Sequence, residues 1–549
     1  MRMRGMRLSA GLVAATMLTG SPVGAAGAER PRLVLWITVD QLRADLLERT
    51  LDRFDPGGFR LLADRGLVYT DACFRHANTA TGVGHAVLFT GGGAMQHGIA
   101  GNEWFDRRLG RMVYCVQDER YPLVGGQAPS SQGRSPAQLT CTTIGDELIL
   151  ASAGRARVLA VSGKDRAAVI PAGRLGRAWW FDAEQGRFVT STWYTDGDPE
   201  PVRRFHASGV ADRWRGQHWT LLYPQERYVF SARDDRPCEK PPGALGRTFP
   251  HALGQDPAAC AAALPYTPFM DQLTAEFALE LAAAEGLGDD EVPDLLSVSF
   301  SATDYLQHAF GPDSLEAEDN LFRLDRTLAG LLDRLLGRVG PDRVLLILSA
   351  DHGSTESPDC RGLSRGREQP PSGRLSSTLN DALRARLRLK EGNPLAACCP
   401  PNLYLDAALV AATGVPPAEA ERMLADEAMR LPQVLLAVTA SDLRQGRLPD
   451  DPVARRLAAA WHPQRSGDVL ILTVPEDEGG AGTHGSPHVH DTHVPILIAG
   501  PGIPAGRVHR PVSPQDIAPT VAAILRVARP SGSTGTLLAE ALEAAAGHP

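Results

Sequence analysis

Apolar positions along the chain fall into short, nearly continuous runs separated by longer periodic ones. Leu33–Val39, Arg157–Val161, Leu295–Phe300, Val344–Leu348 and Val494–Ala499 read as strands with both faces covered, the pattern of a buried parallel sheet. Helical spacing appears at Gly58–Arg65, Ile144–Ser152, Met270–Ala284 and Glu316–Arg338. Strands alternating with helices predict a layered α/β/α sandwich with a mostly parallel central sheet. Two stretches break the rhythm. Residues 171–265 are rich in Trp, Arg, Gly and Pro, and residues 356–465 carry their own strand and helix patterns. Both read as insertions into one catalytic domain spanning 29–549.

The first 28 residues read differently. MRMRGMR is a basic segment, LSAGLVAATMLTG an apolar one, and SPVGAAGA offers small residues for cleavage. That is the pattern of a signal peptide, and the apolar run is shorter than the ~18–20 residues needed to cross a bilayer. The mature chain is therefore expected in the periplasm or outside the cell, without membrane insertion. In an oxidising compartment the eight cysteines are expected to form disulfides, with Cys238 and Cys260 a plausible pair. The net charge of -8 gives no basic face for nucleic acid, so an anionic ligand must be met by local cations.

Chemistry gathers where strands end. Asp40, Asp304 and Asp351 each follow an apolar run, and ligands of open α/β sheets bind beyond the carboxyl ends of the strands. Asp304 and His308 have the spacing that puts both on one side of a helical turn. His352 follows Asp351, and THGSPHVHDTH supplies His484, His488, His490 and His493. Carboxylates mixed with imidazoles suit zinc. The segment HANTATGVGH offers two hydroxyls, Thr79 and Thr81, before a tight turn and a helix expected near His85. A threonine there needs activation, which metal coordination can supply. In VSGKDR, Lys164 and Arg166 follow another strand; read as extended chain, they point to one side and suit phosphoryl oxygens. The commoner meaning of each feature alone is bland: a helix cap, a core histidine, a surface pair.

Together and in this order, VDQLRADLL, T-x-x-G-H, H-G-I-x-G-N, G-K-D-R, D-x-x-x-H, A-D-H-G, T-H-G-S and QDIAPTVAAIL resemble the alkaline phosphatase superfamily. They are most similar to its phosphate-irrepressible bacterial branch with a threonine nucleophile. The resemblance implies two zinc ions and a covalent phosphothreonine. It makes Thr81 the nucleophile, bound with Asp40, Asp351 and His352 to one zinc. Asp304, His308 and His484 hold the other, and Asn102, Lys164 and Arg166 meet the phosphoryl oxygens. His493 is expected to be structural. Small phosphate monoesters are the expected partners and a monomer the expected state. A nucleotide pyrophosphatase/phosphodiesterase with the same metals is the rival enzyme, and a noncatalytic phosphate-binding protein the rival of another class. The five tryptophans of the first insertion are expected to wall the site or to form their own small core.

Overall fold

The computed structural model describes residues 30–543 apart from 126–131, 244, 363–371 and 475–479; the leader peptide lies outside the described residues. Nine strands make the central sheet: β1 (Leu33–Val39), β2 (Leu67–Tyr69), β3 (Val158–Ser162), β4 (Arg177–Asp182), β5 (Arg187–Val189), β6 (Asp294–Phe300), β7 (Val344–Ser349), β8 (Ile496–Ala499) and β9 (Gly506–Val508). Their spatial order is β9-β2-β8-β7-β1-β6-β3-β4-β5. From β7 to β4 every neighbouring pair is parallel. The strand expected at Val494–Ala499 begins at Ile496 and runs antiparallel to β7, so the sheet is mostly rather than wholly parallel.

The sequence LVLWITV explains the centre. All seven residues of β1 are buried, and successive side chains go to opposite faces. Leu33, Leu35, Ile37 and Val39 join one core cluster, while Val34 and Trp36 join another. Six helices position the site and cover the faces: α1 (Thr81–Thr90), α2 (Asp165–Ala172), α3 (Pro268–Ala284), α4 (Ala302–Phe310), α5 (Leu315–Val339) and α6 (Ile517–Leu525). Helices α3, α4 and α5 pack into the first cluster and α6 into the second. On α5, Leu321, Leu324, Leu328, Leu331 and Leu335 make the buried stripe. Ser314 caps its first turn by accepting from the Ala317 amide at 3.0 Å.

β4 and β5 fall within residues 171–265 and belong to the central sheet. The tryptophans of that stretch are mostly core: Trp179 and Trp219 are fully buried, and Trp219 donates to Asp319 at 2.6 Å. Trp180 alone of the five lines the cavity beside Arg166. Residues 395–473 build a separate four-stranded sheet in the order Leu395–Cys399, Asn402–Leu405, Val469–Thr473, Val434–Thr439, over its own leucine-rich core. The expected pairing of Cys238 with Cys260 is incorrect. Cys238 is bonded to Cys360, 122 positions away, and Cys260 is a buried free thiol. Proximity in sequence misled because Cys260 points into the core from a helix over Pro257–Ala263. Among the described residues no helix is long and apolar enough to cross a membrane.

Candidate active site

Strand register sets the site. Val39 pairs with Phe300 and Thr38 with Ser349, so β1, β6 and β7 end level and their following residues share one rim. Asp40 follows β1 directly and Asp351 lies two residues beyond β7. Asp304 sits in the first turn of α4, one helical turn before His308. The donor atoms of Asp40, Asp351 and His352 lie within 4.8 Å of one another, as do those of Asp304, His352 and His484. His308 Nε2 is 3.5 Å from Asp304 Oδ1, and His484 Nε2 is 3.8 Å from the same oxygen. The structure therefore brings together Asp40, Asp304, His308, Asp351, His352 and His484.

Thr81 is the first residue of α1, not part of a turn before it. The helix thus starts four residues before His85, and Gly84 within it allows close packing. A Cβ on Gly84 would stand 2.0 Å from the Asp351 carbonyl oxygen, so the helix can press against the Asp351 loop only with glycine there. Thr81 Oγ1 is 3.5 Å from His352 Nε2 and accepts from Arg166 Nη2 at 3.3 Å. Thr79 is engaged elsewhere: its hydroxyl donates to the Ser486 carbonyl, and its own carbonyl lies 2.8 Å from His484 Nδ1. Asn102 Oδ1 accepts from the Gly82 amide at 2.8 Å, which leaves Nδ2 as the donor end of that side chain.

Lys164 keeps an extended backbone, but Arg166 does not. Lys164 stands at the N-cap position of α2 and Arg166 in its first turn, yet both reach the site, in different ways. The Lys164 ammonium lies 2.7 Å from Asp40 Oδ2 and 2.5 Å from Asp304 Oδ2. Arg166 spans Thr81 and the Tyr114 hydroxyl, the latter at 3.1 Å. Tyr114 donates to Asp165 at 2.5 Å, and Arg134 pairs with the same carboxylate. Tyr114, Asp165 and Arg134 thus hold the guanidinium in place, and sequence reasoning missed all three. Only Asp165, inside G-K-D-R, carried a local signal. His85 was also missed as a support: its Nδ1 is 3.3 Å from Asp351 Oδ2 and its Nε2 3.0 Å from Ser299 Oγ. His493 lies 2.9 Å from the Thr70 carbonyl through Nε2, outside the cluster.

The electrostatics fit a cation site. Burial, and then Asp351 beside it, pushes the Asp40 carboxyl well above the usual range. Burial also opposes charge on Asp304, but Lys164 followed by His308 holds its carboxyl well below that range. Burial, with His352 and His308 nearby, keeps His484 well below its ordinary value, in the neutral form that binds metals. Asp40 Oδ1, Asp304 Oδ1 and Asp351 Oδ2 are buried acceptors without a hydrogen bond among the described residues. Buried, unsatisfied carboxylate oxygens are costly unless a cation meets them. Oxygen and imidazole donors together suit zinc among divalent metals.

The chain's likeness to known proteins agrees with this geometry. Residues 34–478 match the type I phosphodiesterase / nucleotide pyrophosphatase family. The chain is 34% identical to alkaline phosphatase PafA of Elizabethkingia meningoseptica over 93% of its length and 95% of that protein. The chain belongs to this family, on its PafA-like alkaline phosphatase branch. Alkaline phosphatase PhoV of Synechococcus elongatus is likewise 34% identical, over 94% of this chain and 93% of its own. The crystal structure of wild-type PafA superposes with a TM-score of 0.86, covering 93% of this chain and 99% of that one. This PafA-like chain is accordingly an enzyme that hydrolyses phosphate esters.

Proposed function

We propose that the enzyme is a two-zinc phosphomonoesterase that works through a phosphothreonine at Thr81. The observation that carries this reading is Arg166 Nη2 lying 3.3 Å from Thr81 Oγ1, beside the Asp40–Asp351–His352 and Asp304–His352–His484 groups. One zinc with Asp40, Asp351, His352 and Thr81, and another with Asp304, His308 and His484, would stabilise charge on the attacking and leaving oxygens. Thr81 Oγ1 gives up its proton to solvent and attacks phosphorus as the bond to the leaving oxygen breaks. The alcohol departs after taking a proton from solvent. Water then attacks the phosphothreonine, the Thr81 oxygen leaves, and inorganic phosphate is released. Arg166 holds nonbridging oxygens with its planar fork, and Lys164 and the Asn102 amide assist.

A dianionic terminal phosphoryl offers more charged oxygen to Lys164 and Arg166 than a diester does, which favours monoesters. Export to the periplasm or medium, action as a monomer and small phosphorylated substrates complete the proposal. Its test is hydrolysis of p-nitrophenyl phosphate and bis-p-nitrophenyl phosphate at alkaline pH, with and without zinc, beside Thr81→Ala. Zinc-dependent monoester turnover that collapses in the variant is expected. Faster diester turnover would move the enzyme to the phosphodiesterase reading. Phosphate binding without turnover would instead mark a binding protein.

A further inference from the structure

Two cavities meet at Arg166. One, of about 740 Å³, runs beneath the Cys399–Asn402 turn of the inserted sheet. The other, of about 550 Å³, runs past Tyr305 and Trp180. Glu103, Tyr114 and Arg166 line both. Glu103 stands directly across a two-stranded ribbon from Tyr114 and directly follows Asn102 in sequence. A substituent that extends from a phosphoryl group at Arg166 into either cavity enters a space that Glu103 helps to line.

Some charges around these cavities already have partners: Arg134 is paired with Asp165 at 2.5 Å and Asp491 accepts from Ser486. Among the described residues, Asp182 and Glu184 accept only from the neutral Gln185 and Gln132 and line one cavity alone, whereas Glu103 lines both. Glu103 is exposed, and no cation or donor holds its carboxylate among the described residues. Its charge reaches across the cleft: burial, Cys398 and then Glu103 push the Cys399 thiol up to about 12. The cleft is therefore positive where phosphate sits and negative one residue farther out. An uncompensated charge on the wall of a cleft discriminates by complementarity more than it adds affinity.

We propose that Glu103 selects the leaving group by charge, favouring phosphate monoesters of cationic alcohols over those of neutral or anionic ones. This rests on the phosphomonoesterase reading above. No change in the chemical step is involved: the phosphoryl moves to Thr81 as before, and only the alcohol that departs is recognised.

The test separates charge from shape. Choline phosphate and 3,3-dimethylbutyl phosphate have the same outline, and only the first carries a permanent cation. The zinc-loaded enzyme is expected to show kcat/KM roughly threefold higher on choline phosphate at low salt, the scale of an exposed ion pair. The preference should fade in 1 M salt, where screening acts within about 3 Å. In Glu103→Gln the ratio of the two kcat/KM values should fall to about one, and in Glu103→Lys below one. Taking the ratio within each variant cancels any loss common to both substrates. Equal rates on the two esters in the wild type, or an undiminished preference in Glu103→Gln, would overturn the proposal while leaving the phosphatase reading intact. Absence of turnover on either ester and on p-nitrophenyl phosphate would overturn both.

Discussion

Replacing Arg166 by Ala is the sharpest probe of how the site reads its substrate. Arg166 donates to Thr81 Oγ1 and to Tyr114, and its side chain is only 19% exposed. A hydrogen bond to a charged group contributes about 1.5–3 kcal/mol. If that bond passes from Thr81 to a phosphoryl oxygen during reaction, its loss lowers monoester kcat/KM by roughly one to two orders of magnitude. A diester carries less charge on those oxygens, so its loss should be several times smaller. The protein should stay folded, because Asp165 retains Arg134 and Tyr114. Arg166→Lys should fall between wild type and Ala, since an ammonium cannot form a planar fork. The assay is kcat/KM on p-nitrophenyl phosphate and bis-p-nitrophenyl phosphate for the three proteins, with thermal melts alongside. Equal fractional losses on both esters would refute the reasoning: the guanidinium would then be holding Thr81 or Tyr114, not recognising phosphoryl charge.

Three further outcomes are expected. Asp304→Asn, which weakens the oxygen that faces His308, His352 and His484, should cut bound zinc from two ions to about one per chain by elemental analysis, with activity lost in parallel. Glu316 is fully buried 3.3 Å from His251, and burial pushes its carboxyl up to about 7. A raised folded-state value means the folded form binds the proton more tightly. Stability is therefore greatest below the unfolded value near 4.5 and declines as pH rises to about 7, by about 3 kcal/mol at most. Urea titrations at pH 5 and pH 8 should show this slope in wild type and not in Glu316→Gln. Cys238→Ser opens a loop of 122 residues and should cost about 5 kcal/mol in the chain-entropy account, read as a lower denaturation midpoint under oxidising conditions.

What the sequence revealed follows from which interactions are local. β1, β6 and β7 are buried throughout and mostly apolar, so their ends, and the aspartates there, could be read from one strand at a time. The Asp304–His308 pair was legible because one helical turn fixes it. Lys164 is on extended chain as expected, but Arg166 is already helical, since a first helical turn leaves little trace in GKDR. β4 and β5 lay hidden in a stretch taken for an insertion, because RAWWFD reads as strand only once β3 is beside it. Tyr114 could not be found at all. It is an ordinary aromatic on a short ribbon until folding sets its hydroxyl against Arg166 and Asp165.

The Cys238–Cys360 bond encloses more than a loop. Asp304, His308, Asp351 and His352 all lie inside the covalent ring it closes, while Asp40, Thr81 and His484 lie outside. A molecule shaken out of shape by heat or drying keeps those four side chains within one closed loop, which modestly shortens the search that reunites them. The rest of the site has to return from distant parts of the chain. Recovery of the enzyme after such insults should therefore be limited by the arrival of Asp40, Thr81 and His484, and a reducing environment should remove the head start.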